Sequence, residues 1–505
     1  MKRISLLLII TLQFFVGSAQ KQARPNIIVF LVDDMGWMDT SVPFGDRVME
    51  LNKRYHTPNM ERLAKEGMKF TNAYAAPVCT PSRVSMLTGM SVINHGITNW
   101  TSPSKNNNTD RADEQFNAVN WNCNGLSPVQ GIEKTVYATP FPKLLKEAGY
   151  FTVHVGKAHW GSAGTPGANP CNMGFTVNIA GHAAGHPQSY LSEDNYGNIP
   201  NKTSPQAVPD MEEYFGNDMF LTEALTLEAL KTLDDPIKNK QPFYLNMAHY
   251  ALHTPIMADK RFVQKYYDAG LNSTEAKYAS LVEGMDKSLG DIMDYLNKKG
   301  VEKNTIVIFM SDNGGLSHHA RGGQPNTHNL PLKSGKGSVY EGGIREPMIV
   351  KWQGLVKPSA VAKQYVSIED FYPSILEMAG LKNYKTVQKI DGKSFVPILK
   401  NADYVDNNRE LIWHFPNKWT SEDGPGINYF SAIRQGDWKL VYSMRSEKKE
   451  LYNLKEDIGE VNDLATKYPE KMKQLADLLT NKLKDAKAPM PTFKATGKLV
   501  PWPNE

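Results

Sequence analysis

Four stretches of the chain share one pattern: a continuous apolar, β-branched run that ends in titratable side chains. They are residues 25–34 (PNIIVFLVDD), 150–160 (YFTVHVGKAHW), 241–255 (QPFYLNMAHYALHTP) and 304–315 (NTIVIFMSDNGG). An unbroken apolar run of this kind predicts a strand buried on both faces, as in a parallel sheet flanked by helices. Between the runs, FPKLLKEAGY and YASLVEGMDKSLGDIMDYLNKKG carry apolar residues at three- and four-residue spacing, the period of an amphipathic helix. TPNMERLAKEG adds a start signal, with Thr57 at the cap and Pro58 at the first helical position. Strands alternating with helices predict an α/β fold. Beyond about residue 400, ELIWHF, FSAIRQGDWKLVYS and KELYNL read as antiparallel strands, followed by a helix in YPEKMKQLADLLTNKLKDA.

In α/β sheets ligands bind at the carboxyl ends of the strands. Here those ends carry Asp33 and Asp34, Lys157 and His159, His249 and His253, and Asp312 with Asn313. Taken singly, each has a plain reading: a helix cap, a hydrogen-bonded structural histidine, a tight turn. Four strands delivering such groups to one rim point instead to a site. Three carboxylates close together raise their pKa values or demand a cation. Aspartate oxygens and an amide suit Ca²⁺ or Mg²⁺ better than zinc, and no Cys/His cluster of zinc-site spacing is present. A divalent cation ringed by Arg83, Lys157 and Lys336 would form a pocket for a tetrahedral oxyanion.

Composition narrows the class. A chain of 505 residues predicts two to four units, or one large α/β domain with an appendage. Its 57 basic and 53 acidic residues nearly cancel, which gives no support for nucleic-acid binding. Lys2 and Arg3 precede an apolar run and the small residues Gly17, Ser18 and Ala19, the pattern of a secretory signal over residues 1–19. That run is shorter than the ~20 residues a membrane span needs, so the expected product is exported, periplasmic or extracellular, without stable membrane insertion. Three cysteines, Cys79, Cys123 and Cys171, are too few for a disulfide framework. The local sequence PVCTPSRVSMLTG is polar and Pro-bracketed around Cys79, and leaves an inert or a reactive thiol equally open.

CTPSR followed by LTG resembles the signature of type I sulfatases, in the alkaline-phosphatase-like superfamily. The resemblance runs on through NIIVFLVDDMGW, VGKAHWG, HYALHTP, SDNGG and LPLKSGKGSVYEGGIREP. It implies a large, mixed, mostly parallel sheet sandwiched by helices over residues 24–400, and a smaller C-terminal α+β subdomain over 401–505. It further implies that a sulfatase-maturing enzyme oxidises Cys79 to Cα-formylglycine, whose hydrate attacks sulfur and then expels sulfate through its second hydroxyl. A serine would be stranded as a stable sulfate ester. By the same resemblance Asp33, Asp34, Asp312 and Asn313, with position 79, would hold one Ca²⁺. Arg83, Lys157 and His159 would bind the diol, with His159 as the base. His253 would protonate the departing oxygen and Lys336 would hold the sulfate. Lys333 and Arg345 read as structural. If position 79 is no longer a thiol, Cys123 and Cys171 are left to pair or stay buried.

The substrate would be read by long polar loops: residues 97–135, 181–198 and the stretch LSHHARGGQPNTHN with His318, His319 and Arg321. Trp100, His182, His186, His249 and His328 are the candidates for a sugar subsite. These features predict a sulfatase acting on sulfated glycans or oligosaccharides, of galactose or N-acetylgalactosamine type. The alternatives are a formylglycine-dependent phosphonate monoester or phosphodiester hydrolase, and an inactive glycan-binding homologue.

Overall fold

The computed structural model describes residues 24–505 apart from residue 319, so the leader pattern at 1–19 and His319 lie outside the described residues. Its strands in chain order are β1 (Asn26–Val32), β2 (Met68–Tyr74), β3 (Gly125–Ser127), β4 (Thr135–Tyr137), β5 (Phe151–Gly156), β6 (Val177–Ile179), β7 (Phe243–Ala248), β8 (Thr305–Ser311), β9 (Arg345–Trp352), β10 (Ala360–Ala362) and β11 (Val366–Ser367). The main sheet has nine strands in the order β10-β2-β9-β8-β1-β7-β5-β6, with β11 also on β2. All pairs are parallel except those of β9, which runs antiparallel to β8 and β2. The fold is therefore mixed and mostly parallel, as expected, and the four strands anticipated from the apolar runs sit together at its centre.

Alternation along β1 explains why its sequence is apolar throughout. Ile28, Phe30 and Val32 enter one core cluster, whereas Ile27, Val29 and Leu31 enter the other. Each such buried side chain contributes about 1.5–3 kcal/mol. Helices Pro58–Glu66, Leu221–Lys238 and Ser273–Lys298 cover the first face. Helices Cys79–Thr88, Phe141–Glu147 and Phe371–Met378 cover the second. Thr57 does occupy the cap position of Pro58–Glu66, but its side chain makes no capping bond. Its hydroxyl bonds Thr40 and Ser41, and the buried Asp286 carboxylate takes the free Asn59 and Met60 N–H groups at 3.0 and 2.7 Å. No described helix is long and apolar enough to cross a membrane.

A second, antiparallel sheet follows, in the order β12 (Glu410–Phe415), β13 (Phe430–Gln435), β14 (Trp438–Ser443) and β15 (Lys449–Asn453). Helix Pro469–Asp485 packs Leu475, Leu479 and Leu483 on one face, against Ile433, Leu440 and Leu451. The other face, with Trp413, Phe415 and Val441, packs on Tyr74, Val78, Val339 and Tyr340. Trp413 donates from its indole to the Ala75 carbonyl at 2.9 Å. The C-terminal sheet thus buttresses the backbone just before Cys79 and just after Lys336.

Candidate active site

Register aligns the chemistry. Val32 pairs with Ser311, Leu31 with Ala248, and Ala248 with Gly156, so the four central strands end together. Asp33, Lys157, His249 and Asp312 are the next residues of each. The turn into Lys157 needs glycine: Gly156 has φ +93°, and a Cβ there would lie 2.1 Å from the Ala248 carbonyl oxygen. Gly156→Ala is expected to cost about 1–3 kcal/mol in thermal unfolding and to lower activity by moving Lys157. Asp34 and His159 are also held in the left-handed region, at φ 59° and 55°. Strain of this sort persists where the surroundings over-determine it. For Asp34 they include a backbone N–H bond to Asp312 Oδ1 at 3.3 Å.

The prolines that bracket Cys79 do not keep it out of regular structure. It is the first residue of the buried helix Cys79–Thr88. Pro81 is tolerated there because a proline in the first turn removes no intrahelical hydrogen bond. Ser82 accepts the Ala76 N–H at 2.8 Å and closes the bend into the helix. One turn on, Arg83 donates to Asp312 Oδ2 and to the Lys157 carbonyl, both at 2.7 Å. Lys157 donates to Asp33 Oδ2 at 2.6 Å, and Lys336 pairs with Asp34 Oδ1 at 2.6 Å. Asn313 donates to that same Asp34 oxygen at 2.8 Å. His253 Nδ1 faces Thr254, and its Nε2 sits 3.7 Å from Asp34 Oδ2.

Burial and charge compete at each of these groups. Burial pushes Asp33 well above the carboxylate range, and Lys157 offsets only part of it. Burial also opposes ionisation of Asp34, but Lys336, His253 and Lys157 outweigh it and hold that carboxyl below its usual value. The Cys79 thiol is pushed up by burial. His159 is driven well below its ordinary pKa by burial and by Lys157, so it is neutral. Its Nε2 lies 2.8 Å from the Thr101 carbonyl and must donate, which leaves Nδ1 as the acceptor.

Several polar atoms in this cluster are buried without a partner: Asp33 Oδ1, Asp34 Oδ2, Asn313 Oδ1, Arg83 Nη2 and His159 Nδ1. Orphaned buried groups are costly and call for an explanation. Single ligand atoms of Asp33, Cys79 and Asp312 lie within 4.8 Å of one another. Two carboxylate oxygens converging this closely on position 79, with the unpartnered oxygens of Asp34 and Asn313 in the same cluster, fit a divalent cation. With all three carboxyls ionised around a bound divalent ion, Asp33, Asp34 and Asp312 balance Arg83, Lys157 and Lys336, so the ion would leave a net positive pocket.

Above the cluster opens a cavity of about 690 Å³, lined by the buried Cys79, His159 and Lys336 at its inner end, with the half-buried His253 beside them. Of the five sugar-subsite candidates it takes in Trp100 and His186, the latter stacked on His253 at 5.4 Å between ring centroids. The other three, His182, His249 and His328, do not line the cavity. His249 points to the opposite side of the sheet, bonding Ser288 at 2.9 Å and packing on Phe30. His182 bonds the Tyr250 hydroxyl, and His328 bonds Ser317 and the Gly322 carbonyl. Arg321 is likewise structural, tied to Glu275 and Asp39. Sequence reading missed Arg111, Asn107, Gln206, Trp419 and Thr420 in the lining. Trp419 carried one signal, a glycine after the lysine: a Cβ on Gly337 would strike its ring at 2.1 Å.

Lys333 lies 3.8 Å from the Tyr340 ring centre, and Arg345 bonds Thr71, Asn72 and Glu341, so both are structural. Cys123 and Cys171 do not pair; the first is buried and the second exposed.

Residues 25–381 match the family model described as Sulfatase. The chain belongs to the sulfatase family. It is a sulfuric ester hydrolase. Residues 335–489 also match a model described as N-sulphoglucosamine sulphohydrolase, C-terminal. A sulfatase of Formosa agariphila is 30% identical, over 95% of this chain and 93% of its own. The human N-acetylgalactosamine-6-sulfatase is 33% identical, over 77% of this chain and 69% of its own. Among solved structures, Ps i-CgsB in complex with k-i-k-neocarrahexaose superposes with a TM-score of 0.71 at 27% identity, covering 92% of this chain and 93% of that one.

Proposed function

We propose that this sulfatase is exported and hydrolyses sulfate esters on carbohydrate, of galactose or N-acetylgalactosamine type. One observation carries the reading: Cys79, the unpartnered oxygens of Asp33, Asp34 and Asn313, and the side chains of Lys336, His253 and His159 meet at the buried end of a cavity walled by Trp100, His186 and Trp419. Indole faces with a few convergent polar groups suit sugar rings. The names of the human and Ps i-CgsB relatives support a glycan substrate. Export rests on the leader pattern of residues 1–19.

In this reading a sulfatase-maturing enzyme converts Cys79 to Cα-formylglycine, and Asp33, Asp34, Asp312, Asn313 and position 79 hold one Ca²⁺. The hydrated aldehyde supplies an oxygen nucleophile with a second hydroxyl, and the cation supplies positive charge to the sulfate oxygens. The remaining work falls to the chain's own side chains. Lys157 and Arg83 fix the Asp33 and Asp312 carboxylates in orientation. Lys336 Nζ neutralises charge on the bound sulfate near its bridging oxygen. His253 Nδ1–H donates to the Thr254 carbonyl at 3.0 Å, so Nε2 delivers a proton to the departing sugar oxygen only from the imidazolium form, which a bound sulfate would favour. His159 Nδ1, neutral and unpartnered, takes up a proton as sulfate leaves.

Parallel assays of position-defined sulfated sugars and of phosphodiesters test the reading. Sulfate release is expected to dominate, to be lost on chelation and to return with Ca²⁺. Preferred phosphodiester turnover would favour the phosphonate monoester or phosphodiester hydrolase, and glycan binding without turnover by fully converted protein would favour the inactive homologue.

A further inference from the structure

We infer that Arg111 binds a second anionic group, a carboxylate or another sulfate ester, on the sugar beside the one being desulfated. The inference rests on the carbohydrate reading above. Arg111 is exposed and lines the same cavity as the buried Cys79 and Lys336, so it stands at the mouth and they stand at the end. No aspartate or glutamate is among the described residues lining that cavity. Its arginine and lysine side chains are Arg111 and Lys336, and Lys336 is engaged by Asp34 at 2.6 Å.

Arg111 could have been neutralised by its neighbours and is not. Asp110 accepts from the side-chain amides of Asn99 and Asn417, at 3.1 and 2.8 Å. Asp113 pairs with Lys418 and Arg445, at 2.9 and 2.7 Å. Both acids flanking Arg111 are therefore used to hold this loop against the C-terminal sheet. The guanidinium itself forms no ion pair among the described residues. Its backbone is fixed as well, because the Arg111 N–H donates to the Lys418 carbonyl at 2.9 Å. A neighbouring bond from the Thr109 hydroxyl to the Trp100 carbonyl, at 2.7 Å, ties the loop to the indole that walls the cavity. A fixed backbone lowers the ordering cost of binding, and a planar guanidinium matches carboxylate and sulfate oxygens through paired N–H donors.

The test compares a singly sulfated monosaccharide with two disaccharides bearing the same reactive sulfate, one with a uronate carboxylate and one with a second sulfate on the adjacent sugar. In the wild type, kcat/KM is expected to favour one or both disaccharides. Arg111→Gln should lower that preference about five- to tenfold, through KM, with Arg111→Lys restoring part of it. Raising the salt to about 1 M, where the Debye length is ~3 Å, should erase the preference in the wild type and leave the Gln variant unmoved. Which disaccharide responds distinguishes carboxylate from sulfate as the group that is read. Calorimetric binding of the same disaccharides to Cys79→Ala protein, with and without Arg111→Gln, gives a readout independent of turnover. Equal losses on the monosaccharide and both disaccharides, or a salt-insensitive preference, would overturn the role of Arg111 while leaving the carbohydrate reading standing. Failure of the wild type to desulfate any sugar would instead remove the reading on which the inference rests.

Discussion

Cys79→Ala is expected to lower sulfate release by about 10⁴-fold or more while leaving the fold in place. The two halves of this expectation have separate grounds. Cys79 is buried but stands outside the apolar core clusters, so loss of its sulfur leaves little cavity to relax. The helix it begins is held by other groups, notably Ser82 and Arg83. Thermal unfolding of the variant should therefore track the wild type to within a few degrees. Activity has no such reserve, because the surrounding side chains can hold a sulfate ester and move its protons yet none is a nucleophile. Cys79→Ser sharpens the experiment: one hydroxyl replaces a group expected to offer two, so single labelling without turnover is the expected result. Peptide mass spectrometry over residues 70–90 reads both variants and, in the wild type, should show sulfur replaced by oxygen with loss of two hydrogens. An alanine variant retaining activity within tenfold of the wild type would refute any role for position 79 in bond making.

How far the site was legible beforehand depended on which physical constraint each residue obeyed. The central strands β1, β5, β7 and β8 are covered on both faces, which forces an apolar residue at nearly every position and makes them conspicuous. β2 (MKFTNAY) and β9 (REPMIVKW) escaped because polar and charged residues interrupt them. These residues are satisfied by distant partners, as where Arg345 bonds the Thr71 carbonyl at 2.9 Å. His249 was grouped with His253 on residue type alone. Its parity already placed it elsewhere, since Phe243, Leu245 and Met247 all face the first core cluster and a residue two further on shares their side. His182 and His328 carried no comparable local signal, because their partners are set by loop conformation. Neither did Arg111 nor, apart from the glycine at 337, Trp419, which are brought to one cavity by the docking of a C-terminal segment on a loop some three hundred positions earlier. Groups at strand ends can be read from periodicity; walls assembled from loops cannot.

Asp312→Ala is expected to remove activity and also to destabilise the protein by about 3–5 kcal/mol, the cost of leaving a buried charge without its partner. Arg83 is 1% exposed, and its strongest contact with a carboxylate is the 2.7 Å bond from Nε to Asp312 Oδ2. Without it the guanidinium keeps the Lys157 carbonyl and a distant Asp33 oxygen at 3.9 Å, too little to repay its desolvation. Removing both charges is a different matter, because the penalty belongs to the unpaired ion and not to the pair. Asp312→Ala combined with Arg83→Met should recover most of the lost stability and none of the activity, so the two single costs should not add. Chemical denaturation in chelator isolates this pair from any cation, and repeating it with added Ca²⁺ measures what the ion contributes by mass action. If the two substitutions prove additive in chelator, the Arg83–Asp312 pair is not what holds the cluster together. The weight would then pass to Lys157 and Asp33, whose 2.6 Å contact is the other fully buried ion pair beside position 79.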